Sequence, residues 1–535
     1  MALHMYRAER TDILADGLGN LLATPLPDPF TEELVVVPAR GVERWLSQRL
    51  SHVLGRGSGA DGVCAGVSFR SPASLIAQIS GLTAGTGEDD PWSPDAITWP
   101  LLEVIDTHLD EPWCHTLAAH LGHFAAGEER ELRMGRRYAV ARRLAGLFAS
   151  YARQRPELLA GWLDGHAEGL DPDLSWQPEL WRRLVSAMKI DPPHTRHGKT
   201  VAQLRRTGCD LPERISLFGY TRLAATDIEL IDALAVHHDV HLWLPHPSAQ
   251  LWTDLAGLHG VVPRREDQSH RSVAHPLLAT LGRDLRELQR SLPADVAADE
   301  FLSGSDRPET LLGWLQSDIA GNAVPPQGRS LSDDDRSVQV HSCHGPARQV
   351  DVLREVLLGL LADDETLEPR DILVMCPDIE TYAPLIAADF GLGEVVPGAH
   401  PAHQLRVKLA DRSLVQTNPL LAVASQLLTL TGSRVTATEV LDIAGADPVR
   451  ARFGFTDDDL QDITDWVREA NIRWGFDPNH RAPYGVDFVH NTWRFGLDRI
   501  LAGVALSDDS QAWIETTLPP RRRGQQQRRT GWPTG

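Results

Sequence analysis

The sequence predicts an α/β protein built on parallel sheets, and three observations carry that reading. First, Val338–Gly391 reads as a short strand, a polar His341-Ser342-Cys343-His344-Gly345 turn and an amphipathic helix. An acidic turn, a second strand over Asp371–Cys376 and another helix after Pro377-Asp378 follow. Val350, Leu353, Leu357 and Leu360/Leu361 recur at helical spacing and share one face. Ile372-Leu373-Val374-Met375 is continuously apolar, the pattern of a parallel strand covered on both sides. Second, the strand Leu34–Val37 feeds into a helix over Val42–Leu54. Third, apolar strands return at Ile215–Phe218 and Val240–Leu244.

The 535 residues, 42% of them hydrophobic, predict roughly three or four domains with real cores. A first α/β region spans 1–325, with its strand–helix core at 1–70 and 200–325 and a Trp- and Arg-rich helical insertion over about 71–199. A linker at 326–337, continuing the Pro/Gly/Ser-rich Gly321–Ser332, leads to a second sheet region at 338–434. Residues 435–510 turn helical and charged, and 511–535 form a basic low-complexity tail with five arginines and three consecutive glutamines. No apolar run approaches the ~20 residues of a membrane span, and the N-terminus lacks a basic-then-apolar signal. Five scattered cysteines form no CxxC pair, which points to a reducing cytoplasm.

Net charge is −21, so the chain is not a generic nucleic-acid coater. A local basic channel remains open: Arg130–Arg155 holds eight arginines and one acid, Glu131. There Val140, Leu144, Leu147, Phe148 and Tyr151 form a buried stripe, while Arg142 and Arg153 point away. The bland alternative is a solvated helix face.

A nucleotide-driven motor needs a Gly-rich strand-to-helix loop, a lysine for the β/γ-phosphates and a hydroxyl for Mg²⁺. The turn Pro38-Ala39-Arg40-Gly41-Val42-Glu43-Arg44-Trp45 has one glycine, no lysine and no hydroxyl, and Glu43 would repel a γ-phosphate. After Ile215-Ser216-Leu217 the chain reads Phe218-Gly219-Tyr220-Thr221-Arg222, with no carboxylate for Mg²⁺. Gly198-Lys199-Thr200 is read as a chance match in a loop.

Five blocks, in order, resemble the RecC family, the gamma subunit of exodeoxyribonuclease V. They are the N-terminal MALHMYRAERTDILADGL…DPFTEELVVVPARGVERWLSQRLS, then LPERISLFGYTRLAATDIELIDALAVHHDVHLWLPHP, HPLLATLGRDLREL, the Val338–Gly391 unit and TWRFGLDRILAGVAL. The resemblance implies two superfamily-1 helicase-like, RecA-like domains with degenerate motifs and helical insertions, the second incomplete. It implies a dead motor that holds the beta and alpha subunits (RecB and RecD) and splits duplex ends into separated single strands. It also implies a DNA path. No cofactor is expected on this chain, whereas the complex would use ATP and Mg²⁺.

In the enterobacterial members one tunnel scans for the hotspot Chi. Where that family has Gln, Thr and Gln, this chain has Pro38, Arg40 and Arg44. A Leu and a Trp are replaced by Ser71 and Ala77, and an acid by Ala149, while Arg155 and Arg196 survive. Arginine favours phosphates, and amides and aromatics favour base readout. Strand passage without recognition of the enterobacterial Chi sequence is therefore expected. The DNA-path candidates are Arg40, Arg44, Ser71, Arg142, Arg153, Arg155 and Arg196, and the degenerate phosphate loop is Pro38, Arg40, Gly41 and Glu43.

His341, Cys343 and His344 are too few to close a tetrahedral metal site and read as a turn. Asp457-Asp458-Asp459 with Asp462 and Asp465 reads as a helix N-terminus, where acids oppose the dipole. Trp466, Trp474, Trp493 and Trp513 read as core or contact anchors. Family members continue for roughly as many residues again, so the tail reads as the mark of a truncated or frame-shifted product. Two alternatives stand beside the scaffold reading. One is a competent ATP-dependent AddB-type helicase/nuclease subunit, whose Phe-Gly-Tyr turn is similar; the other is an inactive fragment.

Overall fold

In this computed structural model, six strands form one parallel sheet: β1 (Leu3–Ala8), β2 (Glu33–Val36), β3 (Val67–Arg70), β4 (Arg214–Phe218), β5 (Asp239–Pro245) and β6 (Ala298–Leu302). Their order across the sheet is β3-β2-β4-β5-β1-β6. The chain divides into two units, Met1–Gln339 and Val340–Gly535, and the sheet belongs to the first. The structure describes residues 1–28, 30–56, 62–84, 90–166, 170–260, 262–293, 296–304, 307–390, 405, 407–409 and 417–506.

The central strands form because nearly every residue is apolar and covered. All four residues of β2 are buried, as are the last four of β4 and Val240–Leu244 of β5. Register pairs Leu34 with Ile215, Ile215 with Val240 and Val240 with Leu3. Helices follow in the order α1 (Thr11–Leu22), α2 (Arg40–Ser51), α3 (Pro72–Ala84), α4 (Pro94–Thr107), α5 (His115–His120), α6 (Gly127–Met134), α7 (Arg137–Gln154), α8 (Pro156–Leu163), α9 (Gln177–Met188), α10 (Pro193–Thr207) and α11 (Ala225–Leu234).

Leu14, Leu18, Leu46 and Leu50 of α1 and α2 pack on one sheet face against Val35, Val37, Phe218 and Trp243. Leu75, Ile79, Leu204, Leu230 and Leu234 of α3, α10 and α11 cover the other face, against Leu34, Val36, Ile215, Leu217 and Leu242. Each such buried side chain contributes about 1.5–3 kcal/mol.

The helices between β3 and β4 build a second core of their own around Trp92, Leu101, Ile105, Phe148, Trp162 and Trp181. The predicted stripe of α7 faces it: Leu144 and Phe148 are buried, with Val140, Leu147 and Tyr151 packed beside them. Gly198-Lys199-Thr200 lies in mid-helix in α10, not in a loop. Its amides serve the helix ladder, so it offers no phosphate cradle.

The second sheet is a correction. Among the described residues of the second unit there is no strand, only an isolated bridge between Thr436 and Trp474. Val338–His344 and Ile372–Cys376 run without regular structure, and Leu373 and Met375 are 84% and 87% exposed. An apolar run becomes a parallel strand only with neighbours on its edges and helices on its faces. Here helices Pro346–Asp363 and Ile379–Phe390 pack on each other through Val350, Leu357, Ile386 and Phe390 instead.

Residues 326–337 are tied back to helix Leu311–Ala320. Arg329 bonds Asp318 at 2.5 and 2.8 Å, and Asp335 accepts from the Leu311 amide at 2.7 Å. Helix Asp457–Glu469 starts at the acidic run, capped reciprocally by Thr456 and Asp459. Trp493 anchors a core with Val435, Val467, Ala470 and Ile472, whereas Trp466 is 45% exposed. Trp513 and the tail at 511–535 lie outside the described residues. No described helix is long and apolar enough to cross a membrane.

Candidate nucleic-acid interface

All six strands point the same way, so the turns after β2, β3 and β4 emerge at one rim of the sheet. That is the edge where open α/β sheets bind ligands. The Val37 amide donates to the Arg70 carbonyl and the Gly219 amide to the Trp243 carbonyl, both at 2.9 Å. Gly219 adopts φ +80°, and Val42 and Pro38 stand about 4 Å from where its side chain would be. Trp45 of α2 packs against Phe218 at 6.3 Å. The β4 turn therefore lies against the β2–α2 turn.

On the rim, Pro38, Arg40, Gly41 and Arg44 are exposed and Glu43 is half-buried. Ala39 caps α2 with no side-chain bond, and the helix begins directly at Arg40. No nest of amides wraps a phosphate, and the first turn carries a carboxylate where a triphosphate would need a cation. These residues do not fit a nucleoside triphosphate with Mg²⁺. Arg40 and Arg44 have no ion-pair partner among the described residues. Beside Arg44 an open groove of about 450 Å³ is lined by Glu43, Ser47, Gln48, Cys64 and Phe69.

The other candidates divide. Ser71 is exposed at the end of β3, but its hydroxyl accepts from the Ser74 amide at 3.2 Å and starts α3. Arg153 donates to Asp227 at 2.7 Å, and its carbonyl accepts from Thr226, so the end of α7 sits on the first turn of α11 at the rim. Arg155 pairs with Glu157 at 3.3 Å. Arg196 pairs with Asp90 at 3.0 Å, and the neighbouring His197 bonds Glu229, which brings the start of α10 beside α11. Arg142 is exposed but lies about three turns back along α7 from Arg153, away from the rim. Sequence reasoning passed over Arg222, which is exposed in the β4–α11 turn with no ion-pair partner among the described residues. Its signal was present: a cation stands where a motor would place a carboxylate.

Two imidazoles are held neutral near the rim strands. Burial, then the Arg7 guanidinium, pushes His246 down to about 4. Burial, then His4, with Arg214 adding to it against Asp239, pushes His241 down to about 4. In the unfolded chain both titrate near 6.5. Between about pH 6.5 and pH 4 the unfolded state binds more protons, so this stability is full above 6.5 and falls as pH drops. The ceiling is about 3 kcal/mol for each group. The urea midpoint of the sheet unit is expected to fall between about pH 7 and pH 5. A His241→Gln/His246→Gln variant with the same slope would contradict this account.

The family description "RecC, N-terminal domain" matches residues 3–322, and "RecBCD enzyme subunit RecC fourth domain" matches residues 417–529. The chain is 70% identical over 525 residues to a protein named "RecBCD enzyme subunit RecC" from Mycobacterium tuberculosis strain H37Rv, covering 97% of this chain and 48% of that protein. It is 69% identical to the protein of that name from Mycolicibacterium smegmatis, covering 97% and 47%. It is 29% identical to that from Escherichia coli K12, covering 97% and 49%. The chain spans about half the length of the curated relatives it matches.

Proposed function

The chain belongs to the RecC family, and from that premise we propose that it is a DNA-guiding scaffold subunit without catalytic groups of its own. It would serve a RecBCD-type helicase–nuclease in double-strand break repair and homologous recombination. RecB and RecD are its partners in this reading, and duplex ends and the separated single strands its substrates. ATP and Mg²⁺ are left to the other subunits, and the compartment is the cytoplasm.

One observation carries the reading. The rim where a motor would hold nucleotide instead presents Arg40, Arg44 and Arg222, with no lysine–hydroxyl pair and no free carboxylate pair beside them. Guanidinium groups without acid partners suit a phosphate backbone, which contributes position and affinity without base identity. Strand passage without reading of the enterobacterial Chi sequence follows, because Pro38, Arg40, Arg44, Ser71 and Ala77 stand where that family has amides, a hydroxyl and apolar groups.

The test is co-expression with the RecB and RecD of the same genome, then pull-down, forked-DNA binding and ATP turnover. Retention of this chain, fork binding by the complex and no turnover by the chain alone are expected. Turnover by the purified chain that is lost on Arg40→Ala would favour a competent helicase subunit. Soluble RecB and RecD that retain none of this chain would defeat the scaffold assignment.

A further inference from the structure

The outward face of α7 holds more than arginine. Tyr138, Arg142, Gly146, Ala149 and Arg153 follow one another at four- and three-residue steps and form a single line along the helix. The line is about 22 Å long at 1.5 Å per residue. Its inner end is Arg153, which docks on Asp227 at the rim. At its outer end Tyr138 meets Trp99 of α4, with ring centroids 5.2 Å apart and planes tilted by 40°. Neither ring is covered: Trp99 is 63% and Tyr138 44% exposed.

Between the two ends the surface is low and basic. Gly146 has open space where a side chain would stand. Of the eight arginines in 130–155, Arg133, Arg137, Arg153 and Arg155 pair with Glu129, Asp106, Asp227 and Glu157. Arg130, Arg136, Arg142 and Arg143 have no carboxylate partner among the described residues. Two large exposed rings beside unpaired guanidinium groups are the chemistry that holds single-stranded nucleic acid, bases on the π-faces and phosphates on the cations. Glu103 lies one turn from Trp99 on α4 and is exposed, so the cationic side of the track is α7 alone.

We infer that Trp99 and Tyr138 form a base-stacking platform at the outer end of an arginine track on α7, which passes a single strand to the sheet rim. This inference rests on the DNA-guiding reading above and assigns that path its outer contact. Stacking tolerates any base, so the platform holds the strand without selecting its sequence.

The experiment is fluorescence anisotropy of a labelled oligothymidine of roughly 16 nucleotides on the full chain, over a salt series. The variants are Trp99→Ala, Tyr138→Ala, the double variant, Arg142→Ala and Trp99→Phe. Affinity is expected to drop roughly tenfold for Trp99→Ala, with the salt slope unchanged, and Trp99→Phe to recover most of it. Arg142→Ala should instead lower the slope by about 0.7, the value for one single-strand phosphate contact. Both rings are exposed, so circular-dichroism melting should match the wild type. Wild-type binding that survives the double alanine variant intact overturns the platform and leaves the rim reading standing. A wild-type chain that binds no single strand at any salt overturns both.

Discussion

Arg481→Ala is expected to unfold the C-terminal helices of the second unit, at a cost of about 3–5 kcal/mol. Arg481 is 1% exposed, and no carboxylate faces it among the described residues. Its guanidinium donates to the carbonyls of Trp474 at 3.1 and 2.5 Å, Phe488 at 3.2 Å and His490 at 2.7 Å, and lies 4.5 Å from the Trp474 ring centroid. Those carbonyls belong to two loops with no helix ladder of their own. Each carbonyl left orphaned costs about 1–3 kcal/mol, which outweighs the desolvation relieved by removing the charge. Lysine carries a point charge rather than a fork, so Arg481→Lys should recover only part of the loss.

Gly475 adds a second way to break the same joint. It adopts φ +77°, and a side chain there would meet the stem of Arg481. Gly475→Ala should therefore approach the Arg481→Ala phenotype. Hydrogen exchange is the measurement: amides of helix Trp493–Ala505 lose protection while those of β2, β4 and β5 keep theirs. Unchanged protection in that helix would sink the account.

How legible the fold was depends on what each strand borrows from the rest of the chain. Leu34–Val37, Ile215–Phe218 and Val240–Leu244 could be read directly, because central parallel strands are apolar throughout. β1 could not. His4, Tyr6 and Arg7 look like surface residues, yet Tyr6 stacks on Trp243 at 4.2 Å and His4 on His241 at 4.7 Å, and Arg7 is buried against Trp252 at 4.1 Å with Asp299 as its partner. β6 carries Asp299 and Glu300, which suit an edge strand but read as a loop. Ile372–Met375 shows the converse error: an apolar tetrapeptide promised a strand, but among the described residues it has no neighbour to pair with.

The candidate interface was legible to the same degree and for the same reason. Counting arginines along α7 located a basic face, but its net charge depends on acids far away in sequence. On α7 Asp227 neutralises Arg153 and Asp106 neutralises Arg137, and at the start of α10 Asp90 neutralises Arg196 in the same way. Only the fold separates these from Arg40, Arg44, Arg142 and Arg222. It also brings Gly219, at the start of the turn that carries Arg222, against the β2–α2 turn, where Pro38 and Val42 stand about 4 Å from the position its side chain would take.

Replacing Arg40, Arg44 and Arg222 together by alanine is expected to weaken single-strand binding by roughly 100-fold at about 0.1 M salt. Each phosphate neutralised on a single strand releases about 0.7 counterion, so three contacts contribute about 2 to the log–log salt slope. At about 0.1 M that slope is worth about two decades of affinity, vanishing as salt approaches 1 M. Folding should survive, because all three side chains are exposed and none holds an ion pair among the described residues. Paired arginines supply the contrast. Arg153→Ala also frees Asp227 at the N-terminus of α11, where the carboxylate favours the helix dipole and would repel a passing phosphate. Asp227→Asn should therefore raise affinity, since it releases Arg153 without adding an anion. The decisive readout is the slope rather than the affinity at one salt. A triple variant that binds less tightly with an unchanged slope has lost shape, not phosphate contacts, and the rim would not be the path of the strand.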